Sequence, residues 1–267
     1  MSALGPCESF YASAVQQPWL LWAAALVGWA VVIVLRDRPR SIRWFASGCA
    51  VLAMLDAWLT ASDVLGLGAL PGVLGTTVPL FFVLAGDLRV FLFLDLVAVS
   101  ENRALRIARA RWGRILALTM LVPGIAFGLV KRLVDSLVAP ELAGRMLFLG
   151  YELLFLALIL IIRQRVLPRQ LAGRDPLRSW AGSVAGFVAA YYGLWALADL
   201  WILFAPTAIR DLGFALRVLP NALYYGGLSA WIVWRWPSRA ESGQPTAHGR
   251  RADDLAYDST LIGATHP

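Results

Sequence analysis

Seven stretches of about 20 mainly apolar residues recur along the chain, at 18–35, 44–63, 76–99, 113–130, 146–162, 179–204 and 212–234. A helix rises about 1.5 Å per residue, so each stretch matches the ~30 Å hydrocarbon thickness of a bilayer. Within lipid every backbone N–H and C=O needs an internal partner, and a single segment meets that need only as a helix. The pattern predicts an all-α polytopic membrane protein, a bundle of seven transmembrane helices. Composition agrees. Of 267 residues, 59% are hydrophobic and 15% charged, whereas soluble domains run about 45–50% apolar and about 25% charged.

Three regions follow: a short extracytoplasmic segment over 1–17, a transmembrane domain over 18–236, and a polar cytoplasmic tail over 237–267, without apolar periodicity and read as disordered. The first segment holds Glu8 and no Lys or Arg, so it lacks the basic start of a cleavable signal peptide and the first span is expected to stay. The link after the second span is rich in glycine and proline (Gly66, Gly68, Pro71, Gly72, Gly75), a tight-loop signature. The link after the fourth is long enough for a short surface helix.

An odd number of spans puts the termini on opposite sides, and the basic residues choose which. Eighteen arginines, grouped at 36–43, 103–114, 163–178 and 235–251, share one side; Lys131, Arg132, Arg145 and Arg210 share the other. The positive-inside rule therefore predicts an outer amino terminus and a cytoplasmic carboxyl terminus, in a multi-pass protein of the cell membrane. The formal charge of +7 is then a topology signal. It implies no nucleic-acid partner; the partner it implies is the bilayer.

An ionisable group near mid-bilayer costs roughly 2.5–3.5 kcal/mol on insertion scales, so each one is a functional candidate. The second span carries Asp56. The third carries Asp87 and Arg89, two residues apart and hence on different faces, so each needs a partner on another helix. Asp95 and Glu101, nearer the cytoplasmic end, are expected to pair with the arginines of the next loop. The fifth span carries Glu152. The sixth carries Tyr191 and then Tyr192, Trp195 and Asp199 on one face; the seventh carries Arg217, Asn221 and Tyr224 on one face. These eleven residues, Asp95 and Glu101 excluded, cluster in the predicted outer half and form the candidate site. One reading is an outward-facing polar and aromatic cavity that binds or transports a small solute, with an excess carboxylate to take a proton or cation. The other is a set of buried pairs, Asp87, Arg89, Arg217 and a carboxylate, that fix helix register.

Several chemistries are excluded by residue type. The only lysine is Lys131, in a link, so no retinal Schiff base of the rhodopsin type forms on the seventh span. The two histidines, His248 and His266, lie in the tail, leaving no intramembrane histidine for haem, zinc or a Ser/His or Cys/His catalytic set. No cofactor and no metal site is expected, and the balance leans away from an enzyme. An intramembrane lipid or isoprenoid enzyme, or a seven-helix receptor or assembly subunit, are the alternatives. Pro123 and Pro220, near mid-span, are expected to kink their helices. The pairs Gly124 with Gly128 and Gly182 with Gly186 suit close helix approach, first within the chain and second in a homo-oligomer.

Overall fold

The computed structural model describes residues 5–60, 73–98, 109–137 and 140–237, and every regular element among them is helical. A short helix, α1 (Pro6–Tyr11), precedes α2 (Leu21–Val34), which is entered through the turn Val15–Leu20, where Gln17 is extended. Then come α3 (Arg40–Thr60), α4 (Val73–Ala98), α5 (109–137), α6 (140–170), α7 (Asp175–Phe204), the single turn α8 (Thr207–Arg210) and α9 (212–234). Proline marks the breaks between them. Pro176 opens α7 in its first turn, where a missing N–H costs nothing, and Gly173, at φ 76°, supplies the left-handed residue that reverses the chain before it.

Five helices among the described residues are long and apolar enough to cross a membrane: Val15–Val34, Arg40–Leu59, Arg111–Val130, Leu142–Gln170 and Asp175–Phe204. The surface pattern is compatible with a multi-pass membrane protein. Val34, Phe204, Trp44 and Val27 are 65% or more exposed, while Tyr191, Asp87 and Asp199 are wholly buried. That is the reverse of the arrangement water imposes. The other two long helices, α4 and α9, carry much of the buried polar chemistry.

Neighbours in sequence pack as neighbours in space, α2 on α3, α3 on α4, α4 on α5, α5 on α6, α6 on α7 and α7 on α9; α9 then closes the ring against α2 and α3. The closing contact is backbone on backbone. A Cβ at Gly28 would stand 2.3 Å from the carbonyl oxygen of Gly226, and one at Gly226 would stand 1.9 Å from that of Ala24, so only glycine fits on either side. From Ala85 to Val97 α4 is buried on almost every face, touching α3, α5 and α7. An acid and a base two residues apart therefore both face protein.

The prolines act as expected in kind. Pro123 and Pro220 each stand three residues before a widened helical turn, Ala126–Val130 and Leu223–Gly227, where the backbone ladder accommodates the missing donor. The short helix expected after the fourth span is Lys131–Leu137, which continues α5 without a break. The small-residue expectation needs correction. Gly124 and Gly128 lie on the exposed side of α5 with open space where a side chain would go, and Gly182 likewise meets nothing. Spacing marks a smooth stripe on a helix; it does not say which way the stripe turns. Asp63, Glu101, the link at 61–72 and the tail beyond Pro237 lie outside the described residues.

Candidate solute cavity

The polar residues form three connected groups. The first belongs to α4. Asp87, wholly buried, accepts a hydrogen bond from the Tyr192 hydroxyl of α7 at 2.7 Å and another from the Tyr151 hydroxyl of α6. Arg89 donates to the backbone carbonyl of Tyr224 at 3.1 Å and lies over the Tyr224 ring, 4.0 Å from its centroid. Gly86 makes this packing possible, since a Cβ there would stand 2.1 Å from the Tyr224 hydroxyl. Asp87 and Arg89 thus find partners on three other helices. Of the buried set considered from sequence, Arg217 pairs with carboxylates, Asp199 and Glu152, while Asp87 and Arg89 turn toward tyrosines.

The second group lies near the α1 end. Arg217 donates from Nη1 to Asp199 and from Nε to the Tyr11 hydroxyl at 3.2 Å, and its Nη2 stands 3.8 Å from Glu152. Arg145 reaches the same Asp199 oxygen at 2.8 Å and lies over the Phe214 ring. Asn221 donates to Tyr11 and accepts from the Trp195 indole at 2.8 Å. Two arginines on one carboxylate oxygen leave Asp199 Oδ2 without a hydrogen-bond partner, and Glu152 Oε2 is likewise open.

The third group secures the position of α1. Asp211, at the entry to α9, accepts from the backbone N–H groups of Cys7 and Glu8, each at 2.8 Å, and so caps a helix more than 200 residues away in sequence. Desolvation pushes the Asp211 carboxyl up, but these two N–H groups and the Cys7 thiol outweigh it and hold it below its ordinary value; the Cys7 thiol is raised in turn, first by its hydrogen bond to Asp211. Gly5 is needed here too, for a Cβ would stand 2.3 Å from the Asp211 carboxylate.

These groups enclose a cavity of about 560 Å³, within the range of small-molecule sites. Asp56, Glu152, Tyr192, Trp195, Arg217, Asn221 and Tyr224 all line it, joined by Tyr11, Gln17, Tyr151 and Tyr225. The rest of the lining is apolar, Leu21, Ala57, Val83, Ala126, Phe127, Leu147 and Phe148, with Leu147 and Phe148 one helical turn from Tyr151 and Glu152 on the same face. Seven of the eleven candidates therefore share one wall system. Asp87, Arg89, Tyr191 and Asp199 stand behind it; Asp87 touches two lining tyrosines and Asp199 touches the lining Arg217. Among the described residues the charged ones on the cavity lining are Asp56 and Glu152 against Arg217, one acid in surplus.

Sequence reasoning passes over Arg145, Tyr11 and Tyr151. Arg145 falls just before the dense apolar run that marks the fifth span, so it reads as a loop charge; the helix in fact starts at Pro140. Tyr11 lies in a segment with no helical signal of its own. Tyr151 is the immediate neighbour of Glu152, and adjacency in a helix carries no hint of a shared site.

No protein-family model matches the chain, and neither a curated protein nor a solved structure matches it.

Proposed function

We propose that this is a seven-span membrane protein, with its amino terminus outside, whose cavity binds a small amphipathic solute and moves it across the membrane with a proton. The observation that carries the reading is one space of about 560 Å³ lined both by charged and hydroxyl-bearing side chains, among them Asp56, Glu152 and Arg217, and by large apolar ones, among them Phe127, Leu147 and Phe148. A helix-pinning ion pair needs no such space. The arginine-rich end, where residues 36–43, 163–178 and 235 stand, faces the cytoplasm under the positive-inside rule, so the cavity belongs to the outer half. A bound solute would displace water from the polar side chains and rest its apolar part on Phe127, Leu147 and Phe148. Buried carboxylates are the proton carriers in this scheme, Glu152 first and then Asp56 or Asp87.

The test is occupancy. Ala57 is buried and lines the cavity, and Ala57→Trp would fill the space. Small amphiphiles should raise the unfolding temperature of the wild type in detergent and leave Ala57→Trp unmoved. In proteoliposomes loaded with a pH-sensitive dye, the same compounds should drive proton movement. A panel of amines, acids and alcohols that stabilises both proteins equally, or neither, would remove the proposal.

A further inference from the structure

Resting on the cavity reading, the charges and ring faces around the space also select a ligand class. Among the described residues the only cation on the lining is Arg217, whose Nε is spent on Tyr11 and Nη1 on Asp199, while Nη2 stands 3.8 Å from Glu152. An anionic ligand at Arg217 would have to stand beside the Asp199 and Glu152 carboxylates that already flank it. The acid side is different. Glu152 is 4% exposed, lines the cavity, and holds Oε2 without a hydrogen-bond partner, and the lining carries two acids, Asp56 and Glu152, against one base, Arg217. An uncompensated charge in low dielectric is costly, so the arrangement favours a ligand that brings one positive charge and an N–H donor.

The ring faces agree. Tyr11, Tyr192, Trp195, Tyr224 and Tyr225 contribute to the lining, and aromatic faces attract cations within about 6 Å. The protein already uses that attraction at the back of the site, where Arg89 lies over the Tyr224 ring. We propose that the cavity receives an organic ammonium ion with an apolar body, its N–H on Glu152 Oε2, its charge against the tyrosine and tryptophan rings, and its body on the Phe127 and Phe148 wall.

Three probes of matched shape test this: 4-phenylbutylamine, 4-phenylbutan-1-ol and 5-phenylpentanoic acid, titrated calorimetrically at neutral pH into the protein in phosphatidylcholine nanodiscs, with empty nanodiscs as blank. The amine should bind at least about tenfold more tightly than the other two, the scale of one charge-assisted hydrogen bond. Glu152→Gln should remove at least about tenfold of the amine affinity and leave the alcohol within about twofold. Should Glu152→Gln fail to fold, Glu152→Asp keeps the charge, draws it back by one methylene and should weaken the amine alone. An acid or alcohol that binds as tightly as the amine, or an amine indifferent to either Glu152 variant, overturns the ammonium assignment and leaves the cavity standing. Failure of all three probes to bind, or binding that survives Ala57→Trp, overturns the cavity reading itself.

Discussion

The two ends of the bundle use the same ion pair under different conditions. At the arginine-rich end, Asp95 of α4 is held by Arg111, through Nε at 3.2 Å and through Nη2, and by Arg114 at 3.0 Å; the Arg114 side chain is 55% exposed. At the other end Asp199 is held by Arg145 and Arg217, with the carboxylate wholly buried and the Arg217 side chain 16% exposed. Both carboxylates have two guanidinium partners. Of the four arginines Arg114 is the most exposed and Arg217 the least, and that difference decides what each of these two is worth.

The comparison breaks most visibly at Arg217. Arg217→Leu leaves Asp199 and Glu152 short of a buried partner and should cost about 3–5 kcal/mol. Arg114→Leu should cost under about 1 kcal/mol, because Arg111 and solvent remain. Reversible unfolding in mixed micelles measures both, and equal losses would erase the contrast between the ends. Asp87, between them on α4, has neutral donors instead of cations. Tyr192→Phe removes one hydrogen bond to a buried carboxylate and should cost about 1.5–3 kcal/mol. A double variant with Tyr151→Phe should lose more than either alone in the same assay, and a silent Tyr192→Phe would show that Asp87 does not rely on that hydroxyl.

A somewhat smaller effect is expected at Gly86, where Gly86→Ala drives a methyl into the Tyr224 hydroxyl and should cost about 1–3 kcal/mol by overpacking. Gly124→Ala, on the exposed stripe of α5, should leave stability within about 0.5 kcal/mol of the wild type. The smallest effect belongs to Asp211. Its carboxyl is held below its ordinary value, so the tether of α1 is fully present above the unfolded carboxylate range and lost as pH falls through the lowered folded value. Protease sensitivity of residues 5–14 should rise on acidification, and Asp211→Asn should show raised sensitivity already at neutral pH. A wild type insensitive down to pH ~2 would sink this reading.

Most of the helices were legible because lipid makes one demand along the whole length of a span. The expected 179–204 and 212–234 segments meet helices at Asp175–Phe204 and 212–234, and the pairing expected for Asp95 is present. Which residues would line a cavity was legible in part, since depth along a helix follows from residue count. Rotation about the helix axis was not. Asp87, Arg89 and Arg217 lie within reach of several pairings, and only the close seating of α4 on the tyrosines, enforced by Gly86, selects among them. The spacing of Gly124 and Gly128 suits close approach but does not say to what, and in the structure both face outward. Arg145 and Tyr11 were hidden by position, one ahead of the apolar run and one in a segment ordered by a residue 200 positions away.

The glycine crossing of α2 and α9 has a consequence for how the molecule is made. Gly28 and Gly226 leave no room for a side chain between the first long helix and the last, so the ring closes at the seam between the two ends of the polypeptide. In a chain inserted into a bilayer from its amino terminus, α2 would precede its partner by some 200 residues, leaving a bare backbone groove at Gly28 until α9 is made. Assembly completes when α9 arrives, and the cavity, which draws Arg217, Asn221 and Tyr224 from that helix, comes into being in the same event.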